Sequence, residues 1–215
     1  MADVKRRRYR SPRRQEQAEA TRRAIIEAAS RLLTTQGYAG TTMEAIARAA
    51  DVATITVYNI FTSKPKVVEA AIHAAVTGPE APTPLFEQQA PKAVLLERDQ
   101  RRQIKGFAAG MGGIMQRVAP LFEAMRTGAD ADPVIAAVRR DLLARRLDGM
   151  RTFAAALLRN GPLRNGMSLD AAAETIWALS SPDLHQLLTL QLRWDEGKYA
   201  AWLDEMLITA LLDEK

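Results

Sequence analysis

The chain has 215 residues, a hydrophobic fraction of 47% and a formal net charge of +5, which is enough apolar material for a core in one large domain or in one small and one medium domain. It holds no cysteine, excluding disulfides, thiol catalysis and Cys-based zinc sites, and its two histidines, His73 and His185, are too few for a histidine metal cage. No apolar run approaches the ~18 residues that span a bilayer, and the basic start MADVKRRRYRSPRR is followed by no apolar stretch of the secretory kind, so a cytoplasmic protein with no membrane partner is expected.

In chain order, residues 1–14 carry seven Lys or Arg and little that is apolar, the composition of a disordered basic arm. Apolar spacing then predicts a helix over 15–36, with Ile25, Ala29, Leu32 and Leu33 on one face and Gly37 as its terminator. A short helix follows from Thr42, its N-cap, to Ala50, with Met43, Ile46, Ala47 and Ala50 on its buried face. After Asp51 and Val52 a third helix runs over 54–61, with Val57 and Phe61 inward at i, i+4. Ser63 is read as the cap of a fourth helix, with Pro65 in its first turn. The stretch GPEAPTPLFEQQAP, residues 78–91, has four of the ten prolines and is read as an irregular linker. Beyond it the expected helices are 92–118, 120–128, 133–160, 168–193 with a break at Pro182, and 196–213. The predicted architecture is all-α: an arm (1–14), a three-helix front (15–63) and a larger helical body (64–215).

The charge divides along the same line. Residues 1–66 hold 13 Lys/Arg against 6 Asp/Glu, a net of +7, whereas the remaining 17 basic and 19 acidic residues net −2. Such a front suits a polyanion. Within it, short helices at 42–50 and 54–61 joined by a tight turn make a helix-turn-helix, whose second helix enters the major groove N-terminus first. Thr42 and Thr54 then stand at helix starts, where outward backbone N–H groups favour phosphate. Thr56 and Tyr58 face outward, and Lys64 stands at the entry to the next helix. A threonine at a helix start is also an ordinary N-cap, and a tyrosine is also a core residue with a wet tip. Caps, spacing and adjacent basic arm together favour the nucleic-acid reading.

The stretch TRRAIIEAASRLLTTQGYAGTTMEAIARAADVATITVYNIFTSKPKVVEAAI, residues 21–72, resembles the DNA-binding domain of TetR-type transcriptional regulators. The resemblance rests on Thr21-Arg22, Ala28-Ala29, Gly37-Tyr38, Thr41-Thr42-Met43, Ile46-Ala47, Thr56-Val57-Tyr58, Phe61 and Ser63-Lys64. It implies that Thr42, Thr56, Tyr58 and Lys64 touch phosphates of double-stranded DNA, while Ala53, Thr54, Ile55 and Asn59 face bases. Ile55 then suits a thymine methyl and Asn59 an adenine. Asp51 stands where the family usually has glycine, and Ile60 where an aromatic or histidine is common. Arg6, Arg7, Arg8 and Arg10 of the arm are candidates for minor-groove or phosphate contacts.

The resemblance further implies a palindromic operator, a homodimer and a small-molecule effector, with the last two helices, about 169–194 and 198–212, packing against those of a partner. Interface candidates are Leu184, Leu188, Tyr199, Trp202, Leu203, Met206, Leu207 and Ala210. Pocket candidates on the middle helices are Phe107, Met111, Met115, Phe122, Met125, Met150, Phe153, Trp177 and His185, a lining that hints at an apolar ligand. No cofactor is expected. No phosphate-binding glycine loop, partnered nucleophile or metal-spaced carboxylate pair stands out for an enzyme. The competing readings are a nonspecific architectural DNA-binding protein relying on the arm, and a helical adaptor; the +7 front argues against the second.

Overall fold

The computed structural model describes residues 12–78 and 83–213, and these form helices with no strand among them. The arm arginines Arg6, Arg7, Arg8 and Arg10 lie outside the described residues. Helix α1 spans Pro12–Gly40, beginning inside the stretch expected to be arm. Its regular course ends where the pattern placed the end, at Gly37 (φ 70°, ψ −179°), a conformation that a residue without a Cβ adopts at little cost. Thr41 is fully buried there and donates its hydroxyl to the Gly37 carbonyl at 2.8 Å.

Helices α2 (Met43–Ala49), α3 (Thr54–Phe61) and α4 (Lys64–Thr77) follow at the expected places. Ser63 occupies the N-cap position of α4 but its side chain makes no capping bond, contrary to expectation. The proline-rich crossover is only partly irregular. A short 3-10 turn forms at Leu85–Glu87 and helix α5 (Gln89–Leu96) starts within it, taking Pro91 in its first turn, where no N–H is needed. The buried Gln88 amide ties the crossover back, donating to the carbonyls of Thr77 at 2.9 Å and Thr83 at 3.0 Å.

Helix α6 (Gln100–Ala129) is one continuous helix through Pro120, correcting the break expected there. Pro120 forfeits one helical bond, but α6 is the axis of the molecule. It packs on α1, α4 and α5, on α7 (Pro133–Leu158), on α9 (Pro182–Gln186) and on α10 (Glu196–Leu211). Burial of Val118, Ala119, Leu121 and Phe122 around the proline outweighs the lost bond. Helix α8 (Leu169–Leu179) lies on α7, and α9 runs on into a π-helical turn, Leu187–Gln191.

Three apolar clusters result. The front packs Ile25, Ile46, Val57, Phe61 and Val67. A middle cluster joins Leu33, Tyr38, Val68, Ile72, Phe122, Met125 and Ile135. The body core includes Phe107, Met115, Phe153, Ile176, Tyr199, Leu203 and Leu207. Helix α4 serves the first two clusters and α6 the second and third, so the front is welded to the body by helices common to both.

Two glycines of α6 test this packing with opposite signs. A Cβ on Gly128 would lie 2.5 Å from Tyr38 Cδ1, whereas one on Gly110, on the exposed side, meets nothing within 4 Å. Gly110→Ala should stabilise by about 0.5–1 kcal/mol through helix propensity. Gly128→Ala should destabilise by about 1–3 kcal/mol because overlap exceeds that gain. Urea unfolding of the two variants measures both signs.

Candidate nucleic-acid interface

The turn between α2 and α3 depends on Asp51, which adopts φ 54°. Aspartate tolerates this left-handed conformation better than most side chains, and the Val52 amide closes the turn on the Ala47 carbonyl at 3.0 Å. Val57 (0% exposed) and Phe61 (4%) point inward from α3, so the opposite side faces solvent with Ile55 64% and Tyr58 41% exposed. Asn59 and Ala53 are exposed beside them, with Thr54 and Thr56 half-buried at the edges. The residues expected to meet DNA on α3 therefore share one outward face.

Thr42 is exposed at the start of α2, where its Oγ1 accepts from the Ala45 amide at 3.1 Å. The cap uses an oxygen lone pair, while the single hydroxyl hydrogen is directed to the Glu44 carboxylate in this structure. The neighbouring Glu44 carboxylate is held below its usual range first by its own backbone amide, then by the Thr42 hydroxyl, and more weakly by Arg48 and the Tyr58 hydroxyl.

Lys64 is less free than its position at the head of α4 suggests. Its Nζ donates to the Tyr38 carbonyl at 3.0 Å and lies 3.7 Å from the centre of the Tyr38 ring. Partial burial lowers its pKa, against the pull of Asp132. The Tyr38 hydroxyl in turn donates to Asp132 Oδ2 at 2.6 Å. The other carboxylate oxygen, Oδ1, caps α7 by accepting from Val134 (2.9 Å) and Ile135 (3.4 Å). The Tyr38 hydroxyl first, then these amides and Lys64, hold the Asp132 carboxyl below the ordinary carboxylate range. Burial and Asp132 together push the Tyr38 phenol well above its usual value. Sequence patterning gave no sign of this chain of contacts, because its members lie 26 and 94 residues apart.

A cavity of about 990 Å³ opens between front and body. Of the pocket candidates, Met111, Met115, Phe122 and Met150 line it. Phe107 and Phe153 do not; they stack on each other at 4.2 Å within the body core, and Met125 is fully buried in the middle cluster. Trp177 and His185 also stand outside the lining. The walls not foreseen are Arg22, Ile26, Ile60 and Phe61 from the front, Phe86 from the crossover, and Arg145 and Arg146 from α7. Helical periodicity identifies the buried face of each helix but not which buried faces fail to meet.

The expected subunit interface needs a similar correction. Tyr199, Leu203 and Leu207 are 0% exposed and belong to the chain's own core, and Leu188 is buried with them. Leu184, Trp202, Met206 and Ala210 are half-buried. The large apolar side chains at this end that face solvent are Leu187, Leu190 and Leu192, in and just after the π-helical turn. The π turn shifts the helical phase around Leu188, whereas α10 is a separate helix whose apolar stripe packs in the chain's own core.

An exposed face on a tight helix-turn-helix, welded to a helical body with a cavity between them, defines the class: a helix-turn-helix domain carried on an all-α body. Residues 25–71 match the family model of the bacterial regulatory proteins of the tetR family, so this segment carries that family's N-terminal domain. Solved structures share its fold across most of the chain. NalD, the secondary repressor of the MexAB-OprM multidrug efflux pump in Pseudomonas aeruginosa, is 19% identical with a TM-score of 0.67, covering 93% of this chain and all of the other. A protein assigned to the TetR family from Syntrophomonas wolfei str. Goettingen is 15% identical at a TM-score of 0.71, covering 89% and 94%. SmeT, in a complex with triclosan, is 21% identical at 0.64, covering 91% and 93%. No curated protein matches the sequence. Among the described residues no helix is long and apolar enough to cross a membrane.

The Tyr38 contact yields a measurable expectation. Tyr38→Phe should lower stability at neutral pH, because it removes a hydrogen bond to a charged acceptor. Because the folded Asp132 carboxyl is depressed, this contribution is complete above an unfolded pKa of about 3.9 and declines as pH falls through the folded value. Denaturant curves of native chain and variant should therefore converge in acid. At the recognition end, Thr42→Ala should cost about 1 kcal/mol of stability, and Thr42→Asp, which retains an N-cap acceptor, much less.

Proposed function

We propose that the protein is a homodimeric, ligand-responsive repressor that binds a palindromic operator through α3 and is released by a small molecule held in the interdomain cavity. The single observation that carries this reading is the composition of the cavity wall. It includes Ile60, Phe61 and Thr62 at the end of the recognition helix, Lys66 of α4, and Met111, Met115 and Met150 of the body. A molecule bound there touches the element that meets DNA and the body at once. Any preference it has for one relative placement of front and body becomes a shift in DNA affinity.

On this reading Thr42, Thr56 and Tyr58 hold phosphates, and Ala53, Thr54, Ile55 and Asn59 face base edges, with Ile55 on a thymine methyl and Asn59 on an adenine. Lys64 contributes a phosphate contact with the ammonium hydrogens left beyond its bond to Tyr38. Arg6, Arg7, Arg8 and Arg10 add nonspecific affinity or reach a minor groove. Subunits pair through the exposed leucines Leu187, Leu190 and Leu192 together with the outer edge of α10 at Trp202 and Met206. Three exposed leucines within six residues form an apolar patch of the kind that marks a subunit contact. Pairing sets two recognition helices one turn of DNA apart, roughly 34–36 Å. The kinship with NalD supports repression, and SmeT with triclosan supports a small-molecule effector.

Selection of genomic fragments by the purified protein at low and high salt, followed by sequencing, tests the reading. A short palindrome retained at high salt is expected. Retention of all fragments at low salt and none at high salt would leave only an arm-driven, nonspecific binder. In the same assay Asn59→Ala should change the selected sequence, whereas Thr42→Asp should weaken binding to every sequence by placing a carboxylate against a phosphate. Lys64→Ala should reduce the salt slope by about one; an unchanged slope would assign Lys64 to the Tyr38 tie alone.

A further inference from the structure

The cavity wall is largely apolar, yet Arg146 of α7 stands in it beside Met150. Its Nη2 is fully engaged. It donates to the carbonyls of Trp177 at 2.8 Å and Ser180 at 2.6 Å and to Ser180 Oγ at 2.8 Å, closing the C-terminal end of α8. The indole of Trp177 covers the guanidinium, 5.3 Å from ring centre to Cζ. The Nε and Nη1 hydrogens are buried and meet no acceptor among the described residues. Arg145, one position earlier, is paired with Glu69 at 2.6 Å; no ion pair among the described residues includes Arg146.

An unpaired buried cation is costly, and proteins rarely carry one without use. Burial lowers the Arg146 pKa only to about 10, so the charge persists at neutral pH. Two further buried groups on the core side also lack partners among the described residues: the Tyr199 hydroxyl and both ring nitrogens of His185. Their rings meet edge to face at 4.7 Å. The Tyr199 phenol is pushed up to about 12 by burial and drawn back by Arg146, and burial keeps His185 toward its neutral form. Tyr199 and His185 stand behind the cavity wall and not in it, so the unpaired donors of the wall itself are those of Arg146. The rest of the wall agrees in sign, since its charged members are five basic and two acidic residues, and one of those acids, Glu69, is already taken by Lys66 and Arg145.

We propose that the effector is an amphipathic monoanion, an apolar body ending in a carboxylate, with the carboxylate at Arg146 and the body along Met111, Met115 and Phe86. This narrows the apolar effector expected from the sequence, and it rests on the reading of the cavity as the effector site. The unpaired guanidinium discriminates: a neutral ligand of the same shape leaves it unpaired, whereas a carboxylate satisfies it.

Calorimetric titration of the full chain with sodium decanoate and with decanol tests the proposal. Decanoate should bind at least about tenfold more tightly, the increment of a charge-assisted contact. Arg146→Met should abolish the preference by weakening decanoate while sparing decanol, and Arg146→Lys should restore part of it. Equal affinity for acid and alcohol in the native chain, or binding of neither, overturns the proposal. That comparison needs no variant, and so decides the matter even if loss of the α8 closure unfolds Arg146→Met. Release from a selected palindrome is scored separately. Decanoate binding without DNA release would keep the anion site and overturn the effector reading. Release by an uncharged compound that outcompetes decanoate would do the reverse.

Discussion

The ring of Tyr38 is where the two halves of the molecule are held to one another. It lies under the Lys64 ammonium on one side and against Gly128 of α6 on the other, while its hydroxyl reaches the carboxylate that starts α7. Three helices thus take their relative positions from one side chain: α4 through Lys64, α6 through Gly128 and α7 through Asp132. The positive φ at Gly37 turns the chain so that Tyr38 can enter this site. The absence of a Cβ at Gly128 leaves room for the ring. Neither glycine is explained by its own helix; each is explained by the tyrosine.

This arrangement gives the cavity its mechanical meaning. Tyr38 packs in the middle cluster with Phe122, and Phe122 also lines the cavity. Filling the cavity therefore presses on the cluster that fixes the front, while Ile60 and Phe61 bring the recognition helix into the same wall. On the proposed reading the coupling would require no long relay, because a molecule in the cavity and the DNA-facing helix would share a boundary. A close-packed interior responds to such pressure by switching between arrangements rather than by deforming smoothly.

Polar side chains that satisfy the backbone do much of the remaining positioning. Gln88 holds the crossover against α4, Arg146 closes α8, and Asp132 both caps α7 and receives Tyr38. Arg146 differs from the others in keeping donors in reserve. One edge of it builds the body, and the residue as a whole stands in the cavity wall with its remaining N–H groups unpaired among the described residues.

Local order along the chain settled the front of this protein. The spacing of Ile25, Ile46, Val57 and Phe61, the Thr42 cap and the Gly37 stop are short-range patterns, and α2, α3 and α4 appear where those patterns place them. The outward face of α3 was legible for the same reason, since Val57 and Phe61 pointing inward leaves Ile55, Tyr58 and Asn59 no alternative. The body was legible as helices but not as surfaces. Pro120 reads locally as a break, yet α6 runs through it because burial against its neighbours outweighs one lost hydrogen bond. Tyr199, Leu203 and Leu207 read as surplus apolar residues for a partner, yet the chain's own core absorbs them, and the π turn presents Leu187, Leu190 and Leu192 instead. The cavity, the Tyr38 contacts and the unsatisfied guanidinium of Arg146 depend on residues far apart in sequence meeting, or failing to meet, in space. Helical periodicity describes one element at a time, so only tertiary packing could decide them.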